Sequence, residues 1–69
     1  MAESVKIKTE FIKLGALLKY ASLVSSGGEA KMLIQDGQIL VNGEICTMRG
    51  KKIRSGDRVS FGDKEVVIE

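Results

Sequence analysis

SSGGEAKMLIQDGQILVNGEICTMRGKKIRSG, residues 25–56, holds most of what decides the fold of this chain. Ser26 with Glu29 three residues later forms a capping box, in which the serine side chain takes the Glu29 N–H and a helix begins. Ala30, Leu33 and Ile34 then fall on one side of that helix, and Gly37 stops it, as a glycine just past a helix end does. Ile39-Leu40-Val41 reads as a short apolar strand. Asn42-Gly43 is the strongest short hairpin signal, because both residues tolerate the positive φ of the turn. Ile45 and Cys46 begin the return strand. The stretch closes on Arg49-Gly50-Lys51-Lys52-Ile53-Arg54, four cations in six residues.

Upstream, Val5 and Ile7 alternate with Lys6 and Lys8, and period two predicts a half-buried strand over Val5–Lys8. Phe11 and Ile12 lead into the core. Leu14, Leu17, Leu18 and Ala21 stand at i, i+3, i+4 and i+7, one apolar stripe of a first helix, with Lys13 and Lys19 off it. Gly15 interrupts this helix at a cost of up to about 1 kcal/mol relative to alanine; it allows close packing of the two helices, the favoured reading, or close approach to an RNA backbone. Downstream, Ser55-Gly56-Asp57 forms a turn, Val59 and Phe61 alternate with Arg58 and Ser60, Gly62-Asp63 turns again, and Val66-Val67-Ile68 makes a last strand. A strand, two helices and three or four short strands make an α+β fold, a helix pair packed on a small, mostly antiparallel sheet. The strand at Val5–Lys8 and the C-terminal strand are expected neighbours.

Sixty-nine residues form one domain, residues 1–69. A domain of this size buries roughly 60% of the surface its unfolded chain exposes, which leaves no room for a deep pocket beside the core. With one cysteine, Cys46, and no histidine, the chain forms no internal disulfide and no zinc site of the usual nitrogen and sulfur ligands. No metal or other cofactor is expected. Without histidine the usual general base is missing too, so the chain reads as a non-enzyme. Asp36, Asp57 and Asp63 sit at turns, where aspartate bonds the local backbone. Cys46 in an apolar strand reads as inert packing. The N-terminus lacks the apolar stretch of a secretory signal, no run reaches the length that spans a bilayer, and the lone thiol fits a reducing compartment. A cytoplasmic protein that does not engage membranes is expected, as a monomer.

Net charge is only +2, but its distribution is uneven. Residues 48–58 hold five cations against Asp57, whereas the last eleven residues hold Lys64 against Asp63, Glu65 and Glu69. Cations that neutralise phosphates release counterions and give affinity without reading sequence. Lys13, Lys19 and Lys31 lie on or near the helix pair, and Arg49, Lys51, Lys52 and Arg54 make a second group. If both share a face they form a basic stripe suited to a duplex or a structured RNA. Ser26, at the start of the second helix, is counted with the RNA-binding residues, although its capping role alone is sufficient to explain it. Gly27 and Gly28 present free N–H groups to which a phosphate can come close, although Glu29 in the same turn repels it. The only rings are Phe11, Tyr20 and Phe61, with Phe11 and Phe61 expected in the core, so there is no aromatic platform on which single strands could stack.

The ordered set Ser25-Ser26, Glu29-Ala30-Lys31, Leu33-Ile34, Gly37 and Ile39-Leu40-Val41-Asn42-Gly43 resembles the ribosomal protein S4-type RNA-binding domain, also called the alpha-L motif. Lys13-Leu14 with Leu17-Leu18 resembles its first helix, and Arg54-Ser55-Gly56-Asp57 its Lys-Pro-Gly-Asp turn. The likeness covers about residues 12–60 and is nearest to the small stand-alone bacterial members, the YaaA-like and YbcJ-like proteins. It implies RNA binding through the helix pair and adjacent loop, with ribosomal RNA, transfer RNA, the ribosome or its precursors as partners. The chain departs from the family where Lys13-Leu14-Gly15 replaces Arg-Leu-Asp and where Gly27-Gly28 stands in place of an arginine after the serine. That loss of arginine motivates a second reading, a protein-interaction adaptor on the same fold. Binding of duplex DNA is a third.

Overall fold

The computed structural model describes residues 2–69. In chain order the elements are β1 (Ala2–Val5), β2 (Ile12–Lys13), α1 (Leu14–Tyr20), α2 (Gly27–Gln35), β3 (Ile39–Val41), β4 (Glu44–Ile45), β5 (Lys52–Ile53), β6 (Arg58–Phe61) and β7 (Lys64–Ile68). Five strands make one sheet in the order β1-β7-β6-β3-β4, and β2 with β5 makes a separate two-stranded ladder. All pairings are antiparallel except that of β1 with β7. The architecture is the expected α+β helix pair on a mostly antiparallel sheet.

Three residues of the α1 stripe do what their spacing requires, Leu14, Leu17 and Leu18 being fully buried, while the fourth, Ala21, is the C-cap beyond the helix and is half-buried. Ala30 and Ile34 of α2 meet them, and Ile39, Val41, Val59, Val66 and Ile68 close the cluster from the sheet. Leu33, Phe61 and Ile12 pack at its margin, half-buried. At the end of α2, Gly37 takes φ +76°, its N–H donates to Ile34 O at 3.1 Å and the Gln38 N–H to Leu33 O at 3.1 Å. These are the two bonds of a Schellman stop. Asn42 and Gly43, at φ +52° and +86°, turn β3 into β4.

Several expectations need correction. Five strands, and not three or four, follow the helices. The return strand β4 is Glu44–Ile45 with both residues exposed, and Cys46 packs on the core from beyond it. Phe11 is half-buried outside the core cluster. The first strand spans Ala2–Val5 and not Val5–Lys8; Ile7 packs on the core from outside any strand. Its predicted neighbour is right, since β1 lies parallel to β7 with Val5 opposite Ile68. In the capping box Ser26 Oγ accepts the Glu29 N–H at 3.2 Å, but Glu29 Oε1 reaches back one residue further, to the Ser25 N–H at 2.8 Å. Gly15 does not serve helix–helix packing: its neighbour is the side chain of Arg49.

Candidate nucleic-acid interface

Helix α1 has no side-chain N-cap. The first N–H groups of a helix lack partners within it and must find them elsewhere. Here they find the basic loop: the Leu14 N–H donates to Lys51 O at 2.9 Å and the Gly15 N–H to Arg49 O at 3.1 Å. The Lys51 N–H bonds Met48 O at 3.1 Å, closing a turn within the loop. The β2–β5 ladder continues the attachment, with Ile12 opposite Ile53 and Lys13 opposite Lys52. Buried Ile53 anchors β5. Thus the loop holding the densest charge is pinned by its backbone to the start of α1, leaving its side chains outward.

Lys13 and Lys52 are both exposed and stand directly across the ladder. Like charges in that position cost stability. The Lys52 ammonium lies 4.9 Å from the centre of the Phe11 ring, a cation–π contact that offsets part of the cost. Among the described residues the one ion pair joins Arg58 and Glu65 at 3.5 Å, so no carboxylate neutralises Lys13, Lys19, Arg49 or Lys52.

Lys13, Lys19, Gly27 and Arg49 line one surface depression of about 420 Å³, with Gly15, Ala16 and Gly50 between them. Gly27 opens α2, and neither its N–H nor that of Gly28 has a partner among the described residues. The depression therefore combines three uncompensated cations with the positive end of a nine-residue helix. Glu29, the acid of that first turn, directs its carboxylate to Ser25. A second depression is of opposite sign: Glu3, Asp63 and Glu65 line it with Lys64. The molecule is polarised in a way that its net charge conceals.

The other residues singled out from sequence lie elsewhere. Ser26 spends its hydroxyl on the helix cap. Gly28 and Lys31 are exposed on α2 without lining the basic depression. Lys51 borders a different hollow with Asn42, Ile45 and Met48. Arg54 is fixed through its backbone, its N–H donating to Asp57 Oδ2 at 2.8 Å. The remaining Asp57 oxygen accepts from Asn42 Nδ2 at 3.2 Å, and Asn42 Oδ1 accepts the Arg58 N–H at 3.0 Å. This lock joins the β3–β4 turn to the turn before β6. The Arg54 N–H is the main cause holding the Asp57 carboxyl below its usual range; Asn42, Lys51 and Arg54 charge add to it against the opposing effect of burial. The sequence pattern around Asp57 indicates only a local turn role and carries no sign of the link to Asn42. Nor does it mark Ala16 on α1 and Gly50 in the loop, which bear no charge and line one site because the loop is attached to α1. Among the described residues no cluster of histidine, cysteine or acidic side chains could hold a metal ion. No described helix is long and apolar enough to cross a membrane.

Residues 5–69 match the S4 domain family. The chain is 43% identical over 70 residues to RlbA of Bacillus subtilis (strain 168), named a probable ribosome maturation protein, covering 97% of this chain and 99% of that one. It is 36% identical over 61 residues to YbcJ of Escherichia coli (strain K12), named provisionally as an RNA-binding protein, covering 88% and 87%. The solution structure of Escherichia coli YbcJ, described as having an alpha-L motif involved in RNA binding, superposes with a TM-score of 0.64 at 35% identity, over 96% of this chain and 85% of that chain.

Proposed function

The chain belongs to the S4 domain family, and from that premise we propose that it is a non-catalytic RNA-binding protein, one domain throughout, that holds structured RNA by phosphate and shape. The observation that carries this reading is the convergence of Lys13, Lys19 and Arg49 on one depression at the start of α2, with Lys52 beside Lys13 and no ion pair to an acid among the described residues. Each cation placed on a phosphate releases counterions, and the open Gly27 and Gly28 amides can take a phosphate oxygen. Tyr20 is the one well-exposed ring, 58% accessible, and its hydroxyl donates to Lys6 O at 3.1 Å. A single exposed ring gives no stacking platform, which favours a folded or double-helical RNA over a single strand. Lys31, Lys51 and Arg54 widen the contact where the RNA extends past the depression.

The name of the Bacillus relative, a ribosome maturation protein, points toward the ribosome or its precursors. On that ground ribosomal RNA is the first candidate ligand and transfer RNA the second, with the bacterial cytoplasm as the proposed compartment. The test is binding of the protein to a structured ribosomal RNA fragment, a transfer RNA and an unstructured single strand, across about 50 to 200 mM salt, the range over which phosphate contacts change affinity most visibly. Tighter binding to the folded RNAs, weakening steeply with salt, supports the reading. A flat salt dependence or a preference for the single strand contradicts it.

One observation favours a second reading, an adaptor for another protein. Ile45 and Met48, 65% and 64% exposed, border the same hollow next to Cys46. Co-purification from nuclease-treated cells separates the two: partners that survive unchanged favour the adaptor, and partners lost with the RNA favour RNA binding.

A further inference from the structure

We propose that Gly15 is a positioning residue for RNA binding: its missing side chain forms a slot that seats the aliphatic stem of Arg49 and aims that arginine into the basic depression. The proposal rests on the RNA-binding reading and adds to it a residue with no charge and no contact chemistry of its own.

Gly15 is the second residue of α1. A Cβ placed there would lie 2.7 Å from Arg49 Cγ and 3.2 Å from Arg49 Cδ, closer than real Cβ atoms come without a shift of the neighbour. Cγ is near the root of the arginine side chain, so relief requires a change of rotamer and not a bend at its tip. The backbone meanwhile is held, because the Gly15 N–H donates to Arg49 O. Among the glycines this is a singular situation. Gly27, Gly43, Gly50, Gly56 and Gly62 would meet nothing within 4 Å, while Gly28 and Gly37 would meet their neighbours at 4.0 and 3.6 Å.

Neither backbone conformation, helix propensity nor helix packing accounts for a glycine at this position. Its φ is not in the left-handed region, unlike those of Gly37, Gly43, Gly56 and Gly62, so the backbone does not demand it. Within a helix, glycine is a poorer choice than alanine. It opens no space for α2, since Arg49 is what a side chain would strike. What the glycine provides is room for the stem of an exposed arginine to lie against the first turn of α1, beside the depression shared with Lys13 and Lys19. An arginine held in its rotamer before binding loses less freedom on contact, and its planar fork can then meet a phosphate with two parallel hydrogen bonds.

The test is a double-mutant cycle with Gly15→Ala and Arg49→Ala, read as affinity for a structured ribosomal RNA fragment, slope of affinity against salt, and thermal midpoint. Gly15→Ala is expected to weaken binding by roughly fivefold, the upper range for one exposed ion pair, and to lower the salt slope by about 1, as the loss of one phosphate contact does. Arg49→Ala should do the same. Gly15→Ala should then have no further effect on the Arg49→Ala background, where Cγ is gone. The thermal midpoint of Gly15→Ala should be unchanged or higher. Wild-type affinity in Gly15→Ala, an equal loss on both backgrounds, or a markedly lower midpoint would each overturn the proposal. If Arg49→Ala binds normally while Lys13→Glu does not, the slot has no functional consequence and RNA binding on this face survives. If neither weakens binding, the RNA reading of the face itself fails.

Discussion

Replacing Asp57 with asparagine tests the lock that shapes the loop beside the site. Both carboxylate oxygens accept, Oδ2 from the Arg54 N–H at 2.8 Å and Oδ1 from Asn42 Nδ2 at 3.2 Å. An amide of the same shape has one acceptor and one donor, so either the Arg54 N–H or the Asn42 amide faces another donor. Loss of the charge weakens the remaining bond as well. Hydrogen bonds to charged groups contribute about 1.5–3 kcal/mol and an orphaned partner costs about as much when buried; half-exposure at Asp57 brings the sum to about 2 kcal/mol. In a domain this small that corresponds to a fall of roughly 8–16 °C in thermal midpoint. The pH dependence follows from the same contacts. The folded carboxyl titrates below its ordinary 3.8, so its stabilisation is complete above the unfolded value and is lost as pH falls through the folded one. Urea titrations of both proteins at neutral pH and in acid measure the gap. It should be near its full value at neutral pH and shrink below the unfolded pKa, as the wild type also takes up its proton. A gap below about 0.5 kcal/mol at neutral pH, or one that does not narrow in acid, would refute the reasoning, since surface changes without such a role stay within that range.

Ser26→Ala removes the acceptor of the Glu29 N–H and should cost about 1 kcal/mol in urea unfolding, with RNA affinity nearly unchanged if the hydroxyl serves only the cap. Lys52→Thr removes a like-charge pair with Lys13 but also the contact with Phe11; we expect stability to hold within about 0.5 kcal/mol while RNA affinity falls, checked by paired unfolding and binding titrations. Arg58 and Glu65 form an exposed pair, so Glu65→Gln should change stability by less than about 1 kcal/mol by the same unfolding assay.

The parts of the fold legible in the sequence are those with local rules. The Leu14–Leu18 stripe, the Ser26 cap, the Gly37 stop and the Asn42-Gly43 turn each follow from a few neighbouring residues and needed no tertiary information. The β2–β5 ladder left no trace because two residues have no period, and yet it is what carries Lys52 to Lys13. The first strand lies three residues before the Val5–Lys8 alternation, because Ile7 is apolar for packing on the core and not for pairing. Of the residues expected to bind RNA, Lys13, Lys19, Gly27 and Arg49 lie together and Lys31, Lys51 and Arg54 do not line that depression. Composition can count cations but cannot say which of them the loop's hydrogen bonds to α1 bring across. Gly15 was visible as an anomaly in a helix; its reason lies 34 residues away, in Arg49.

The salt dependence of binding to a structured ribosomal RNA fragment, compared between the wild type and a protein with Lys13, Lys19 and Arg49 all changed to glutamate, tests the central claim most directly. A Lys64→Glu protein, altered beside the acidic depression, serves as control. If the three cations meet phosphates, the slope of log affinity against log salt should fall by about 2 to 3 in the triple variant, with affinity greatly reduced, and stay close to wild type in the control. Equal slopes in all three proteins, with the triple variant folded, would contradict the account.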